Sequence, residues 1–119
     1  MIELERGVLS GPPHCHSAEE EIFVVLDGDG MLELTPPGKF PDEPETHRVR
    51  VGSVVARPPG TGVAHAFCAG DSGLTLLAWG TREPNDICWY PRSQKIFWRG
   101  VGVVGRIDAL DYWDGEELE

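Results

Sequence analysis

The sequence predicts an all-β sandwich or barrel, and three observations carry that reading. Short apolar segments recur about every 8–12 residues, the rhythm of short strands and turns. Glycine (15) and proline (10) make up 25 of 119 residues and fall between those segments, leaving little room for a long helix. No ten-residue stretch places its apolar residues at helical spacing. Less than about one-fifth helix is expected.

Taken in order, residues 1–10 alternate weakly and predict an edge strand, ended by Gly11-Pro12-Pro13. Ile22–Leu26 is a strong strand. Asp27-Gly28-Asp29-Gly30 follows, and Asp-Gly between apolar segments predicts a hairpin with Met31–Thr35 returning. Residues 36–46 are polar and proline-rich and predict an exposed loop. His47–Val51 and Ser53–Arg57 are expected to pair around Gly52. Pro58–Gly62 is a rigid turn, and Val63–Ala69 and Leu74–Gly80 are strands around Gly70–Gly73. Ile87–Tyr90 and Lys95–Arg99 are expected to pair across Pro91-Arg92-Ser93. Val101–Ile107 is a glycine-interrupted strand, and the acidic residues 108–119 predict one short helical turn.

The length fits one domain, 1–119. Ten basic residues against 20 acidic ones give a net charge of −10, which disfavours nucleic acid and anionic membranes as partners. The longest apolar runs, Ile22–Leu26 and Leu74–Trp79, are too short to cross a bilayer. The N-terminus has no apolar run of signal-peptide length, so a cytoplasmic protein is expected. Cys15, Cys68 and Cys88 are odd in number and form no CxxC pair, which excludes a disulfide framework or a zinc-finger pattern.

The informative cluster is His14-x-His16 followed by Glu21. In a strand, positions i and i+2 share a face, so the two histidines point the same way. Glu21 has the parity of Phe23 and Val25, an apolar face, and His65 lies in another apolar strand. Three imidazoles and a carboxylate suit a divalent transition metal ion. The competing reading of His14 and His16 is a surface pair beside a turn; Glu21 and His65 weigh against it.

The stretch from His14 to Gly28 resembles the first motif of the cupin superfamily: HxH, three or four residues, Glu, six residues, Gly. Glu21 fits the spacing to Gly28, and Glu20 fits the shorter spacing from His16. Gly52 to Gly60, followed by His65, is similar to the second motif. Four residues separate Gly60 from His65 where two are usual, and Ala69 stands where an Asn usually closes the motif. The resemblance spans motif 1 at about 11–30 and motif 2 at about 52–69. It implies a cupin jelly-roll β-barrel with His14, His16, Glu21 and His65 as ligands of one metal ion (Zn, Mn, Fe, Ni, Co or Cu). PPGTGVAH and the later TREPNDICWYPRS resemble small bacterial cupins assigned as candidate sugar-phosphate isomerases. That assignment itself rests on fold.

A four-ligand site leaves about two positions open on a six-coordinate metal. A substrate with adjacent hydroxyl and carbonyl oxygens fits them, and isomerase or epimerase chemistry follows. With Fe(II) the same positions admit O2 and dioxygenase chemistry; a non-catalytic small-molecule binder is the alternative. His47, Tyr90 and Glu20 are the candidate bases, and Arg57 is a candidate for an anionic substrate group or an exposed strand end. Gly100-x-Gly102-x-x-Gly105 matches GxGxxG, but only 14 residues follow it, too few for a dinucleotide-binding unit. Cys15 and Cys68 have the parity opposite to the neighbouring histidines and are expected to face outward. The remainder of Glu19-Glu20-Glu21 reads as solubilising charge. Ile22, Val24 and Leu26 are apolar on the second face of their strand, and such a face needs cover. A homodimer is therefore expected, with Trp79, Trp89, Tyr90, Phe97 and Trp98 as core or interface aromatics.

Overall fold

A computed structural model of the chain describes residues 1–37 and 44–116. Its nine strands are β1 (Ile2–Leu4), β2 (Cys15–His16), β3 (Glu21–Thr35), β4 (Glu45–Arg50), β5 (Val54–Arg57), β6 (Ala64–Gly80), β7 (Ile87–Tyr90), β8 (Lys95–Trp98) and β9 (Val103–Arg106). Among the described residues there is no helix. The strands form two antiparallel sheets. One runs β1-β6-β3-β4 with β5 also on β3, and the other runs β2-β7-β8-β9.

The predicted hairpin at Asp27–Gly30 is not a hairpin. β3 runs on through it, and β6 likewise runs on through Gly70–Gly73. The two strands pair along almost their whole length, with irregularities at the glycines. Gly28 sits opposite Leu74 and Gly30 opposite Ala69, so Asp29 faces the four residues Gly70–Gly73. That bulge bends the two-stranded ribbon. Gly28, at φ 80°, tolerates the bend because any β-carbon there would collide with the Gly73 carbonyl. The ribbon curls until its two halves face each other. Phe23, opposite Ala78 in one half, meets Phe67, opposite Leu32 in the other, at 4.9 Å between ring centroids.

The strand that returns along β3 is β4 together with β5. β4 pairs with 29–34 and β5 with 21–24. The two do not pair with each other as expected. Gly52, at φ 91°, breaks the path between them, and its N–H donates to the Val25 carbonyl at 3.0 Å. Of the predicted loop 36–46, residues 38–43 lie outside the described residues, 36 and 37 are exposed, and Glu45 already belongs to β4.

Inside the curl lies the apolar core: Phe23, Val25, Leu32, Val49, Phe67, Ala69, Leu74 and Leu76. The outer face carries Leu26, Val54, Leu77 and Trp79, all exposed. β7 and β8 pair as predicted, with Gln94 at φ 56° completing their turn. Gly100 and Gly102 lie in the β8–β9 turn, and Gly105 passes beside the Trp98 ring. Of the expected helical turn in 108–119, residues 117–119 lie outside the described residues; among the rest there are only turns, with Asp114 N–H donating to the Asp111 carbonyl at 2.9 Å. The two sheets meet where His14 and His65 exchange backbone hydrogen bonds of 3.2 and 2.9 Å.

Candidate metal centre

The fold brings His14, His16, Glu21 and His65 together. Their ligand atoms lie within 4.8 Å of one another. They come from three parts of the chain. His14 and His16 stand on the segment that joins the sheets, His65 on the start of β6, and Glu21 on the start of β3. Along the straight ladder Glu21 and His65 would be far apart, because Glu21 pairs with Gly80 and His65 with Leu34. The bend in the ribbon closes that distance, leaving His65 Nε2 at 3.2 Å from Glu21 Oε1. The glycine-rich bend thus builds the site.

The hydrogen bonds fix which nitrogens face inward. His14 Nδ1 donates to the Pro12 carbonyl at 2.9 Å, so its Nε2 lone pair is free. His16 Nδ1 bonds Asp86 Oδ2 at 2.6 Å, which turns its Nε2 toward Glu21 Oε1 at 2.8 Å. Those last two atoms are buried, and their approach lacks hydrogen-bond geometry, so neither has a partner. Two orphaned polar atoms aimed at one point, with two more imidazoles beside them, fit a metal ion.

Burial lowers the His14 pKa and keeps that imidazole neutral, aided by the neighbouring histidines against the Pro12 hydrogen bond. For His16, burial opposes the charge, but Cys88, Glu21 and Asp86 outweigh it and push the pKa up to about 11. Glu21 is opposed by burial, yet His16 and His65 hold its carboxyl well below the usual range. His16 thus stands between the carboxylates of Glu21 and Asp86, at 2.8 and 2.6 Å, a setting that favours a positive charge at that point. A metal ion held there would take the place of the Nε2 proton.

Of the wall that β7 and the residue before it contribute, sequence reasoning named Tyr90 but missed Asp86 and Cys88. Asp86 is completely buried, and its Oδ1 accepts from the Ala18 and Glu19 N–H groups at 2.9 and 3.0 Å. Burial raises its pKa, but His16 and those backbone donors bring it down to about 2. Cys88 is buried 3.4 Å from His16 Nδ1. The Tyr90 ring lies 5.4 Å from the His14 ring. Positions 86, 88 and 90 share one parity, a visible signal, but nothing local showed that β7 pairs with β2.

Other expectations need correction. Glu19 is not solubilising charge: it is buried and paired with Arg99. Glu20 is exposed, its N–H donating to Thr81 Oγ1, and its side chain is not in the cluster. His47 is exposed and paired with Glu45 at 2.6 Å. Cys15 does not face outward: it is buried and lines, with His16, Trp89, Gly60 and Gly62, a cleft of about 250 Å³. Burial raises its thiol pKa. Cys68 is half-buried.

The cupin family profile matches residues 3–95, and the chain belongs to that family. It is 32% identical over 108 residues to the auxin-binding protein T85 of Nicotiana tabacum, covering 88% of this chain and 54% of that protein. The fold is similar to a solved sugar phosphate isomerase of the cupin superfamily from Silicibacter pomeroyi, with TM-score 0.74 and 25% identity over 87% of this chain and 63% of the other. It is also similar to a candidate sugar phosphate isomerase from Acidithiobacillus ferrooxidans, with TM-score 0.72 and 27% identity over 92% of this chain and 68% of that one. The chain thus spans about half the tobacco protein and under two-thirds of the Silicibacter protein. No helix of the described residues is long and apolar enough to cross a membrane.

Proposed function

We propose that this chain is one cupin unit, 1–119, in which His14, His16, Glu21 and His65 hold a divalent transition metal ion. We further propose that it acts on a small polar substrate of the sugar-phosphate kind as an isomerase or epimerase. The observation that carries the reading is the pair of orphaned atoms, His16 Nε2 and Glu21 Oε1, inside a four-residue donor set. When bound, the metal supplies Lewis acidity to adjacent hydroxyl and carbonyl oxygens at its open positions. The protein supplies the rest. Asp86 and Pro12 set the ring orientation of His16 and His14. Isomerisation also needs a group that moves a proton. Of the candidates, Tyr90 stands beside the cluster, and burial raises its phenol pKa, which suits it to donate a proton to a substrate oxygen and not to act as the base. His47 and Glu20 stand away from it.

The similarity to an auxin-binding protein favours a second reading, a metal-dependent binder of a small molecule without turnover. A panel of aldose and ketose phosphates, assayed with protein loaded separately with each metal, separates the two. Turnover that disappears in Tyr90→Phe and in His65→Ala supports the enzyme. Tight binding without turnover supports the binder.

The exposed outer face is the basis for proposing a homodimer. Ile22, Val24, Val54, Leu77 and Trp79 stand side by side in the strand register, and Leu26, at the irregularity after Val25, is exposed as well; a second copy offers the same apolar surface. A cytoplasmic location completes the proposal.

A further inference from the structure

The basic residues of this acidic protein are distributed unevenly. Of ten, Lys39 lies outside the described residues, and among the rest only Arg57, Lys95 and Arg99 are not exposed. Arg99 is matched by Glu19 and lies 3.9 Å from Asp86. Among the described residues Arg57 and Lys95 form no ion pair; the arginine pairs go to Arg48 and Arg99. A half-buried cation without a counter-ion gives up part of its hydration with no opposite charge to replace it.

The two unpaired cations stand on strands that neighbour the candidate metal centre, on opposite sheets: Arg57 across from Glu21 and Lys95 across from Tyr90. Arg57 is directly across the ladder from Glu21. Residues opposed in this way share a face, and Val55, two positions earlier, packs on the core. Arg57 is therefore on the inward face, next to a proposed ligand. Glu21 nonetheless turns its carboxylate to His16 and His65 instead. Pro58-Pro59-Gly60 follows at once, and Gly60 N–H is anchored to the His16 carbonyl at 2.9 Å, so the strand end that carries Arg57 is fixed. On the other sheet, Lys95 is opposite Tyr90, with its Nζ 5.0 Å from the centre of the Tyr90 ring. That ring in turn lies 5.4 Å from His14.

We propose that Arg57 and Lys95 form an anion subsite beside the metal centre. The subsite makes the ligand a small molecule with a phosphate or carboxylate group next to the oxygens that meet the metal. This inference rests on the metal reading above and adds the charge of the substrate to it. A divalent ion and two side-chain cations against two carboxylates, Glu21 and Asp86, would leave an excess of positive charge at the site, in a protein of net charge −10, and an anionic ligand balances it. Arg57 offers a planar fork for two anion oxygens, and Lys95 a single mobile ammonium.

The test titrates inorganic phosphate and, separately, malonate into metal-loaded and metal-free protein by calorimetry, in wild type, Arg57→Gln, Arg57→Lys, Lys95→Gln and exposed Arg92→Gln. The inference predicts that at least one anion binds and that Arg57→Gln and Lys95→Gln each weaken it about tenfold or more. Arg57→Lys loses less, Arg92→Gln loses nothing, and metal content is unchanged throughout. Phosphate binding alone identifies a phosphorylated substrate, and malonate binding alone a carboxylic acid. Anion binding that needs Arg57 and Lys95 in a protein that takes up no metal keeps the subsite and removes the metal reading. Equal affinity in all variants, or no binding of either anion below ~10 mM, overturns the subsite.

Discussion

At the scale of single residues, the site rests on Asp86 as much as on its four candidate ligands. A buried carboxylate that holds the far nitrogen of a ligating imidazole fixes the ring and its tautomer, and its loss typically costs 10–100-fold in metal affinity. Asp86→Asn is expected to lower metal affinity by about that factor, read by competition with a chelator, while leaving His14, Glu21 and His65 in place. It also alters acid tolerance. The Asp86 pKa falls from 3.8 to about 2 on folding, so its stabilising contribution is present above pH 3.8 and is lost as pH falls toward 2. Denaturation midpoints of metal-free wild type and Asp86→Asn should converge as pH falls through that window. Convergence at neutral pH alone would contradict the assignment. Glu19 offers a second test. Its pairing with Arg99 means that Glu19→Gln should destabilise the fold by about 1.5–3 kcal/mol in a urea titration, whereas Glu20→Gln should leave it unchanged.

At the scale of elements, the bend in the β3–β6 ribbon decides whether the ligands meet at all. Gly28→Ala forces a side chain into positive φ and against the Gly73 carbonyl. It should cost more than about 1 kcal/mol and weaken metal binding with it, whereas Gly52→Ala, with open space around its β-carbon, should cost only the backbone term. The bend also shows what was legible. Parity along Glu21-x-Phe23-x-Val25, the His-x-His spacing and His65 in a second apolar strand pointed to the four residues whose ligand atoms the fold brings within 4.8 Å. The glycine-acid run around Asp27–Gly30 marked a special backbone, but the same residues serve a reversal and a bulge. Only the long-range pairing with Gly70–Gly73 selects the bulge. Asp86, Cys88 and Arg99 were illegible for a related reason. They reach the site through the pairing of β7 with β2, separated by about 70 residues in sequence, and no local pattern encodes that partner choice.

At the scale of the whole molecule, the chain is extended, with a radius of gyration of 15.9 Å and axes of 59 × 32 × 20 Å. A compact chain of this length has roughly 13–14 Å. The extension and the bare apolar face of β3, β5 and β6 point the same way, toward a second copy. Light scattering should give a mass of twice 13.1 kDa at micromolar concentration, and Leu77→Glu together with Trp79→Glu should return it to the monomer value. A wild-type monomer would contradict the dimer. The central claim, however, is the metal. Protein prepared without a histidine tag should contain close to one equivalent of transition metal by elemental analysis. Stripping that metal with a chelator should lower the melting temperature, and readdition should restore it. At free metal ~1,000 times the dissociation constant the expected gain is about 4 kcal/mol, a shift of roughly 10 °C or more. The shift should vanish in His16→Ala and His65→Ala and persist in His47→Ala. A protein that holds no metal, with no melting shift from salts of Fe, Mn, Ni, Co, Cu or Zn, would contradict the account.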